Sequence, residues 1–385
     1  MYNIHYLNPI SEKGTALWTE DYQKCENMEE AQAIMVRSAA MHELNLPQDL
    51  LAVARAGAGV NNIPLNKCAE QGIVVFNTPG ANANGVMELA LCGMLLGCRD
   101  IIGGINWVQT IKDQGDVAKK VEKGKSQFAG CEIAHKKLGV IGLGAIGGPL
   151  ANAARKLGME VYGCDPYISI EAAWHLDRHI IRVKTREEIY SQCDIISVHV
   201  PLLDNTRKMI NEEALSQMKD GVIVLNFARD ALVDDDAMEA ALKSGKAKRY
   251  ITDFPNDRTA GMEGVVAIPH LGASTPESED NCASMASKEL IDYIENGNIV
   301  NSVNLPEVTM PRSGDNRVCV IHKNIPNMIT KITGLVSDDG INIENLLNKS
   351  KGDYAYTMLD IGAADVAVLE KEINDIEGVI RVRII

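Results

Sequence analysis

The amino-acid sequence predicts an α/β protein built on parallel sheets and followed by a smaller βαββαβ unit. Short apolar runs alternate with helical patterns over about the first 300 residues, which is typical of parallel strands joined by helices. A glycine-rich turn, Gly142–Gly147, leads directly from an apolar run into a helical pattern. The length of 385 residues allows two or three domains, since a domain averages about 150 residues.

The first block of the chain contains four candidate strands, followed by a helix from near Ala83 to about Ile102. The strands are expected at Ile4–Leu7, Ala33–Ser38, Leu50–Arg55 and Val74–Asn77. The segment Gly103–Gly130 is polar and rich in Gly and Lys, so we expect a connection between two lobes there.

The second block repeats the alternation of strands and helices. Strands are expected at Lys137–Ile141, Glu160–Cys164, Ile195–His199, Val222–Asn226, Tyr250–Asp253 and Val265–Ile268. Helices fill the gaps, among them Ala145–Leu157, Glu212–Met218 and Asp235–Ser244. Thr275, Pro276 and Glu277 form a helix start, and Gly297 ends that helix after about Asn296.

The last part of the chain predicts a separate small module. Asn301–Asp315 contains two prolines and a glycine and is expected to be a linker. The strands that follow are expected at Val318–His322, Ile341–Leu347, Tyr354–Ile361 and Val379–Ile385, and the helices at Pro326–Asp338 and Val366–Asp375. This βαββαβ order predicts a ferredoxin-like sandwich.

Composition and charge exclude several classes of protein. The formal net charge of −14 and the absence of a long basic run disfavour nucleic-acid binding, which needs Lys and Arg to displace counterions from phosphate. No apolar stretch reaches the about 20 residues that cross a bilayer, and the first residues lack the pattern of a signal peptide. The nine cysteines include no C-x-x-C spacing, so we expect reduced thiols, a cytoplasmic protein and no metal site.

The glycine-rich turn has the sequence context of a dinucleotide-binding site. Gly142 permits the tight turn, Gly144 lets the backbone approach a pyrophosphate, and Gly147 allows close packing of helix on strand. The helix that follows offers free N–H groups and a partial positive charge to phosphate. The next strand ends at Asp165, whose carboxylate would bind ribose hydroxyls and repel the 2′-phosphate of NADP, so NAD is the expected cofactor.

Three strands after this turn end in polar side chains, at the sheet edge where open α/β sheets bind ligands. Arg229 follows one strand directly and is suited to clamp a carboxylate. Asp253 ends the next strand, and His270 follows the last one, where an imidazole is suited to exchange a proton with a ketone or hydroxyl. Together with a nucleotide-binding sheet, these side chains predict dehydrogenase chemistry.

The sequence resembles the D-isomer-specific 2-hydroxyacid dehydrogenases from about residue 30 to residue 300. The segments that carry the resemblance are Arg55–Asn62, Asn77–Asn82, Gly142–Gly147 with Asp165 and Pro166, His199–Pro201, Asn226–Arg229 and Pro269–Thr275. The resemblance implies a Rossmann-type NAD-binding domain and a flavodoxin-like substrate-binding domain. It also implies that Arg229 binds the substrate carboxylate and that His270 is the acid/base. The NAD contacts it implies are Gly142, Gly144, Ala145, Ile146, Gly147, Asp165, His199, Val200, Pro201, Thr206, Phe227, Ala228, Arg229, Asp253, His270, Gly272 and Ala273.

The sequence departs from the family pattern at two places. Asp230 stands after the arginine where the family usually has glycine. The family also places a Glu a few residues after the Asp253 position to pair with the histidine, and this chain has none there. We expect Asp257 to take that role, with Glu263 or a neutral substitute as the alternatives.

A glycine-rich turn in the first block is the expected site for a substrate phosphate. Arg55 begins this turn, in which backbone N–H groups and a guanidinium are able to converge. The resemblance assigns substrate binding to the same region. The residues expected to bind substrate are Arg55, Gly57, Ala58, Gly59 and Asn82, together with Arg229 and His270.

The C-terminal module resembles an ACT domain, an amino-acid-sensing module. The resemblance implies that His322, Asn324 and Asn342 bind L-serine as an effector, and that pairing of such modules makes the protein a homodimer or homotetramer. The family motif continues with Arg-Pro-Gly after Asn324, whereas this chain has Ile-Pro-Asn, ending at Asn327. Asn tolerates the left-handed conformation better than most residues, so the turn is expected to survive.

These observations predict a split substrate-binding domain (1–100 and 280–304), an NAD-binding domain (101–279), a linker (305–315) and an ACT domain (316–385). Within the family, the sequence is most similar to members that oxidise 3-phospho-D-glycerate to 3-phosphohydroxypyruvate with NAD, in the first step of serine biosynthesis. The alternatives are a glycerate or hydroxypyruvate reductase of the same family and a non-catalytic protein that senses NAD(H).

Overall fold

The computed structural model describes the chain from Met1 to Ile385. Two compact units make up the protein, and the first joins Met1–Asn82 to Pro276–Ile385, while the second comprises Ala83–Thr275. These boundaries differ from the expected division at residues 100 and 279. No helix is both long enough and apolar enough to cross a membrane.

The secondary structure follows the expected alternation through most of the chain. The strands are β1 (Tyr2–Tyr6), β2 (Tyr22–Cys25), β3 (Ala33–Val36), β4 (Ala52–Arg55), β5 (Val74–Phe76), β6 (Lys137–Ile141), β7 (Glu160–Cys164), β8 (Ile181–Arg182), β9 (Ile195–Val198), β10 (Val222–Asn226), β11 (Ala247–Thr252), β12 (Val265–Ala267), β13 (Asn316–Lys323), β14 (Ile343–Lys351), β15 (Tyr354–Ile361) and β16 (Val379–Ile384). The helices are α1 (Glu12–Thr15), α2 (Leu65–Glu70), α3 (Ala83–Cys98), α4 (Ile101–Ile111), α5 (Val117–Gly124), α6 (Gly147–Lys156), α7 (Ile170–Trp174), α8 (Arg186–Gln192), α9 (Glu212–Gln217), α10 (Asp235–Ser244), α11 (Pro276–Asn296), α12 (Met328–Asp338) and α13 (Val366–Asn374).

The first unit contains a parallel sheet whose five strands lie in the order β2-β1-β3-β4-β5. This is the strand order of flavodoxin-like folds. Strand β2 was not predicted, because its central residues Gln23 and Lys24 are polar and exposed at the sheet edge. Its buried residues, Tyr22 and Cys25, nevertheless anchor it to the core.

The same unit ends in a four-stranded antiparallel sheet with the order β14-β15-β13-β16 and two helices, α12 and α13. The βαββαβ order is the predicted one. Asn327 precedes α12 with φ of 69°, so the left-handed turn expected there is present. Gly297 ends α11 with φ of 71°, as its position in the sequence predicts.

Arginines of this C-terminal module fix it against α11. The Arg383 guanidinium donates a hydrogen bond to Ile294 O at 2.6 Å. Arg317 is fully buried, pairs with Asp360 at 2.6 Å, and donates to Asn296 O at 2.8 Å. Cations at the end of a helix satisfy its free carbonyls and interact favourably with its dipole. The module is therefore packed against the helix that returns the chain to the first unit.

The second unit contains a seven-stranded parallel sheet in the order β12-β11-β10-β9-β6-β7-β8. The strand order reverses beside β6, which is the point where doubly wound sheets bind nucleotides. The carboxyl ends of all these strands lie at one edge of the sheet. The glycine turn after β6, Asp165 after β7 and Arg229 after β10 are therefore brought to a common edge.

Helix α3 packs on this sheet at unusually short distance, which is why it belongs to the second unit. A Cβ atom added to Gly93 would lie 2.6 Å from Phe227 Cζ, and one added to Gly97 would lie 2.8 Å from Ile223 Cγ2. Only glycine permits this approach of helix to strand. The predicted boundary at residue 100 assigned this helix to the first domain. Small residues in a helical pattern do not indicate which part of the protein the helix packs against.

The segment Gly103–Gly130, which was expected to connect two lobes, is largely helical. Asp100 caps α4 by accepting a hydrogen bond from Gly103 N at 3.2 Å. The rings of Trp107 and Phe128 then pack together with their centroids 5.4 Å apart. These two aromatic side chains pack the segment together, although its composition is mostly polar.

We expect Gly93→Ala to lower the free energy of unfolding by about 2 kcal/mol, because the new methyl group would overlap the Phe227 ring. Gly104→Ala is the matched control, since a Cβ there would meet Phe128 at 3.6 Å, an ordinary contact. That variant should be neutral or slightly more stable because alanine favours a helix. Urea unfolding of both variants tests this, and equal midpoints would contradict the role of Gly93.

Candidate active site

The turn after β6 has the geometry of a phosphate-binding loop. Gly142 has φ of 91°, and a Cβ there would lie 2.5 Å from His199 O. A Cβ at Gly147 would lie 1.9 Å from Gly142 O, whereas one at Gly144 would meet nothing within 4 Å. Two of the glycines are therefore required by contacts within the protein. The third faces open space, where a pyrophosphate would approach the backbone.

A cavity of about 650 Å³ lies beside this turn, entirely within the second unit. Seven of the residues expected to bind the cofactor line it: Gly142, Gly144, Asp165, His199, Val200, Pro201 and Thr206. Ala145 is exposed in the turn itself, and Ile146 precedes α6. The cavity is therefore placed and sized for the adenosine half of a dinucleotide.

Asp165 and His199 carry the polar groups of this cavity. Asp165 accepts hydrogen bonds from Leu143 N and Tyr167 N, both at 2.9 Å, which hold its carboxylate at the cavity wall. His199 Nε2 bonds with Ser197 Oγ at 2.7 Å, and its buried Nδ1 has no partner. Burial lowers the pKa of His199 to about 4, so the ring is neutral. The unpartnered nitrogen and the open glycine both fit a bound NAD.

Arg229 lies in an extended conformation at the carboxyl end of β10 and forms no ion pair. Its Nη1 donates to Ala228 O at 2.6 Å, and its guanidinium lies 5.5 Å from the centroid of the Phe254 ring. Asn226 holds the loop, since its Nδ2 donates to Arg229 O at 2.8 Å and to Tyr250 Oη at 3.1 Å. The guanidinium therefore retains N–H groups for an anionic ligand.

His270 lies near Arg229 and packs on an aromatic ring instead of a carboxylate. The ring centroids of His270 and Phe254 are 4.4 Å apart. Partial burial, and next the positive charge of Arg229, lower the pKa of His270 below its ordinary value of 6.5. The imidazole is consequently neutral at pH 7 and able to accept a proton.

The expectation that Asp257 pairs with His270 is corrected by the structure, and Glu263 does not pair with it either. Both carboxylates are exposed, and neither affects the histidine pKa. The loop is drawn towards α10 instead, because Asn256 Nδ2 donates to Asp235 at 2.9 Å and Arg258 pairs with Asp236 at 2.6 Å. The remaining alternative was that a neutral residue stands beside His270 in place of a carboxylate, and Phe254 is that neighbour.

The other residues expected near the nicotinamide differ in whether their side chains are buried or accessible to a cofactor. Asp253 is buried, its Oδ1 has no partner, and burial raises its pKa to about 6 even though Arg229 lowers it. The Phe227 side chain is buried against α3, so only its backbone is available to a cofactor, while Ala228 is partly exposed. In the loop after His270, Gly272 contacts Val86 of α3 and Ala273 is partly buried.

The first unit brings together a second set of cationic and N–H groups. The Arg55 guanidinium folds over the turn of Gly57, Ala58 and Gly59, where a Cβ at Gly57 would lie 2.6 Å from Nη1. Arg55 Nε also donates to Arg37 O at 3.0 Å. Asn82 is partly buried at the end of the following segment. Sequence reasoning missed Arg37, although its position directly after the apolar run of β3 was a usable signal.

The expected effector residues do not meet within one chain. Asn324 lies before α12 and donates to Gly352 O at 3.1 Å, whereas Asn342 lies after α12 and donates to Glu344 at 2.7 Å. His322 is buried, with Nε2 bonded to Thr357 Oγ1 and Nδ1 to Lys323 O, both at 2.8 Å. The length of a helix separates the two asparagines, and the histidine has no nitrogen left for a ligand.

Comparison with known proteins agrees with this geometry. A family model described as "D-isomer specific 2-hydroxyacid dehydrogenase, NAD binding domain" matches residues 94–272. The chain is 32% identical to D-3-phosphoglycerate dehydrogenase of Haemophilus influenzae, with 87% of this chain and 81% of that protein aligned. It is 30% identical to D-3-phosphoglycerate dehydrogenase of Escherichia coli, with 99% of this chain and 92% of that protein aligned.

Solved structures share the same fold. The crystal structure of NAD⁺-bound 3-phosphoglycerate dehydrogenase from Entamoeba histolytica has a TM-score of 0.58 and 26% identity, and covers 79% of this chain and 98% of its own. A structure of D-2-hydroxyisocaproate dehydrogenase has a TM-score of 0.63 and 24% identity, and covers 79% of this chain and 100% of its own. NAD is therefore the cofactor of the second unit.

We expect Asp165→Asn to weaken binding of NADH and to raise the affinity for NADPH relative to NADH about tenfold. Loss of the negative charge removes the repulsion of a 2′-phosphate, and one of the two backbone N–H groups loses its acceptor. Fluorescence titration of both nucleotides measures the change. Glu171→Gln, an exposed change on α7, is the control, and an unchanged preference in Asp165→Asn would show that this carboxylate does not contact the ribose.

Proposed function

Since the chain belongs to the D-isomer specific 2-hydroxyacid dehydrogenase family, we propose that it oxidises 3-phospho-D-glycerate to 3-phosphohydroxypyruvate with NAD, which is the first step of L-serine biosynthesis. One observation carries the proposal: an arginine without an ion pair and a neutral histidine lie together in an NAD-binding unit. The relatives named for this reaction align with the chain over most of its length.

Arg229 is the proposed binding group for the substrate carboxylate. A guanidinium and a carboxylate pair through two parallel hydrogen bonds, which fixes the orientation of the 2-hydroxy acid as well as its position. The contacts of Asn226 with the Arg229 carbonyl and with Tyr250 hold the strand end that presents the guanidinium. The arginine would therefore place C2 of the substrate beside His270.

His270 is the proposed base for the hydroxyl proton at C2. Its neutral imidazole accepts the proton as the alcohol becomes a ketone, and bound NAD accepts the hydride that leaves the same carbon. The imidazolium that forms lies near the Arg229 cation with no carboxylate to stabilise it, so it readily returns the proton to solvent. This arrangement suits oxidation of the hydroxy acid.

Phe254 is proposed to orient both groups in place of the missing carboxylate. Its ring contacts the His270 ring and also attracts the Arg229 guanidinium by a cation–π interaction. A carboxylate would orient the histidine and also raise its pKa, whereas an aromatic ring orients it without adding negative charge. The histidine therefore keeps its lowered pKa.

The turn at Arg55 is the proposed binding site for the substrate phosphate. The Gly57 N–H is bonded to Arg55 O at 2.8 Å, so the proposed phosphate ligands are the N–H groups of Ala58 and Gly59 together with the Arg55 guanidinium that lies over the turn. Arg37 positions the Arg55 guanidinium through its backbone carbonyl, while its own guanidinium pairs with Glu279 at 2.6 Å. We propose the same role for the nearby segment that ends at Asn82.

The C-terminal module is proposed to be an ACT domain that senses serine. Its βαββαβ order and the positions of Asn324 and Asn342 support this assignment, and their separation by α12 means that one chain alone lacks a complete effector site. We propose that a second copy of the chain completes it by pairing along the exposed edge strand β14. His322 then acts by holding the strand instead of binding the effector.

The absence of a carboxylate beside His270 favours one other candidate, a non-catalytic protein that senses NAD(H). A glycerate or hydroxypyruvate reductase of the same family is also distinguishable by experiment, because its substrates lack the phosphate for which the Arg55 site is proposed.

We expect the purified protein to form NADH from 3-phosphoglycerate and NAD, and Arg229→Ala to reduce kcat/KM at least 100-fold. Arg178→Ala, an exposed arginine of the same unit, is the control and should retain activity. Equal rates with glycerate would favour the reductase, and no turnover with any 2-hydroxy acid would favour the sensor. Added L-serine in the same assay lowers the rate only if the C-terminal module responds to it.

Phe254→Leu should lower kcat about tenfold and shift the pH profile of the oxidation. Neutral His270 is the active form, so oxidation is lost as pH falls through its pKa, which in the native protein lies below 6.5. Removing the ring exposes the imidazole to water, raises its pKa, and moves the acid limb to higher pH. Phe128→Leu, which affects only a ring pair away from the histidine, should leave the profile unchanged. An unshifted limb in Phe254→Leu contradicts the role of the ring.

A further inference from the structure

Two cysteines of the second unit, Cys98 and Cys131, lie in contact where the chain passes the end of α3. Cys131 N donates to Cys98 O at 3.1 Å, and Cys131 Sγ lies 3.8 Å from the same oxygen. The two thiols are close enough for Cys131 to contribute to the raised pKa of Cys98. All nine cysteines of the chain are free, and this backbone hydrogen bond brings two of them together.

The close approach of the two cysteines depends on a glycine. A Cβ added to Gly130 would lie 2.2 Å from Cys98 O and 2.8 Å from Arg99 Cα. No other residue fits without moving the backbone of one segment or the other. The close approach of the two segments that carry the cysteines is therefore fixed by the backbone.

The two thiols differ in exposure, and positive charge surrounds the accessible one. Cys98 is 1% exposed, whereas Cys131 is partly exposed and lines a cavity of about 270 Å³. Lys136 and Lys248 line the same cavity without ion-pair partners, while Lys219 is neutralised by Asp194 at 2.9 Å. The two unpaired lysines attract an anionic reagent to the cavity that Cys131 lines.

We propose that Cys98 and Cys131 are a thiol–disulfide site that reacts with an anionic low-molecular-weight disulfide of the oxidised-glutathione class. The Cys131 thiolate attacks one sulfur of the reagent, forms a mixed disulfide and releases one glutathione thiolate. The Cys98 thiol then loses its proton and attacks Cys131 Sγ, which releases the second glutathione. Two protein thiols are oxidised by two electrons, the reagent is reduced to two thiols, and the cysteine protons end on those thiols.

The second step is the slow one. Burial, with a smaller contribution from Cys131, raises the pKa of Cys98 to about 11, so few molecules carry its thiolate at neutral pH. The disulfide would close a loop spanning 33 positions that contains α4 and α5. It would also tie the end of α3, the helix that contacts Phe227 and Gly272, to the segment that enters β6. Oxidation would thereby make the second unit more rigid.

The test exposes the reduced full-length protein to oxidised glutathione, blocks the remaining thiols by alkylation, and identifies linked peptides by mass spectrometry. We expect a peptide pair joined through Cys98 and Cys131, faster formation at higher pH, and a thermal unfolding midpoint raised by about 2–4 °C. Dithiothreitol should reverse both changes. A native protein that keeps glutathione on Cys131, or that links neither cysteine, would overturn the proposal.

Three variants separate the two steps. Cys131→Ser should form no linkage and show no rise in midpoint, and Cys98→Ser should stop at a glutathione adduct on Cys131. Cys92→Ser is the matched control, because Cys92 lies on the same helix but is exposed. It should form the Cys98–Cys131 linkage at the native rate. If oxidation raised the unfolding midpoint of Cys131→Ser as much as that of the native protein, the proposal would also be overturned. Cys131 is only partly buried, so Cys131→Ser still gives a result if the substitution at the buried Cys98 prevents folding.

Discussion

The close contact of α3 with the second sheet is the constraint on which the candidate active site depends. Gly93 lets the helix lie directly on Phe227, two residues before Arg229. Val86, earlier on the same helix, contacts Gly272 in the loop that follows the histidine. One rigid helix therefore supports both the strand that presents the arginine and the loop that presents the histidine. Their separation is set by core packing, which tolerates little variation, and not by the flexibility of two loops.

Local arrangements of backbone and side chains explain how a chain with a formal charge of −14 is able to bind anions. Gly144 provides backbone N–H groups and a helix start, which attract phosphate without any basic side chain. The Arg229 guanidinium forms no ion pair, and the Arg55 guanidinium is held over a glycine turn. Under the proposed function, these local positive sites bind small anions, while an acidic surface repels polyanions such as nucleic acid.

Features encoded within a few consecutive residues could be predicted from the sequence, and features created by tertiary contacts could not. Most of the strands, the glycine turn and the left-handed Asn327 follow from local pattern and backbone sterics, whereas the polar edge strand β2 does not. The helices within Gly103–Gly130 depend on a contact between Trp107 and Phe128, and the path of the loop at Asp257 depends on distant residues of α10. The same limit applies to the effector residues, which motif matching grouped together although a helix separates them.

The missing carboxylate beside His270 is best understood through the direction of the reaction. A carboxylate neighbour stabilises imidazolium, which is the form needed to protonate a ketone during reduction. Here Arg229 and partial burial favour the neutral ring, which is the form needed to remove a proton from a hydroxy acid. Phe254 supplies orientation without charge, so geometry is kept while the proton equilibrium shifts towards the base. If His270 is the base as proposed, the loop that carries Asp257 away from the site leaves the histidine in the form that removes a proton from the hydroxy acid.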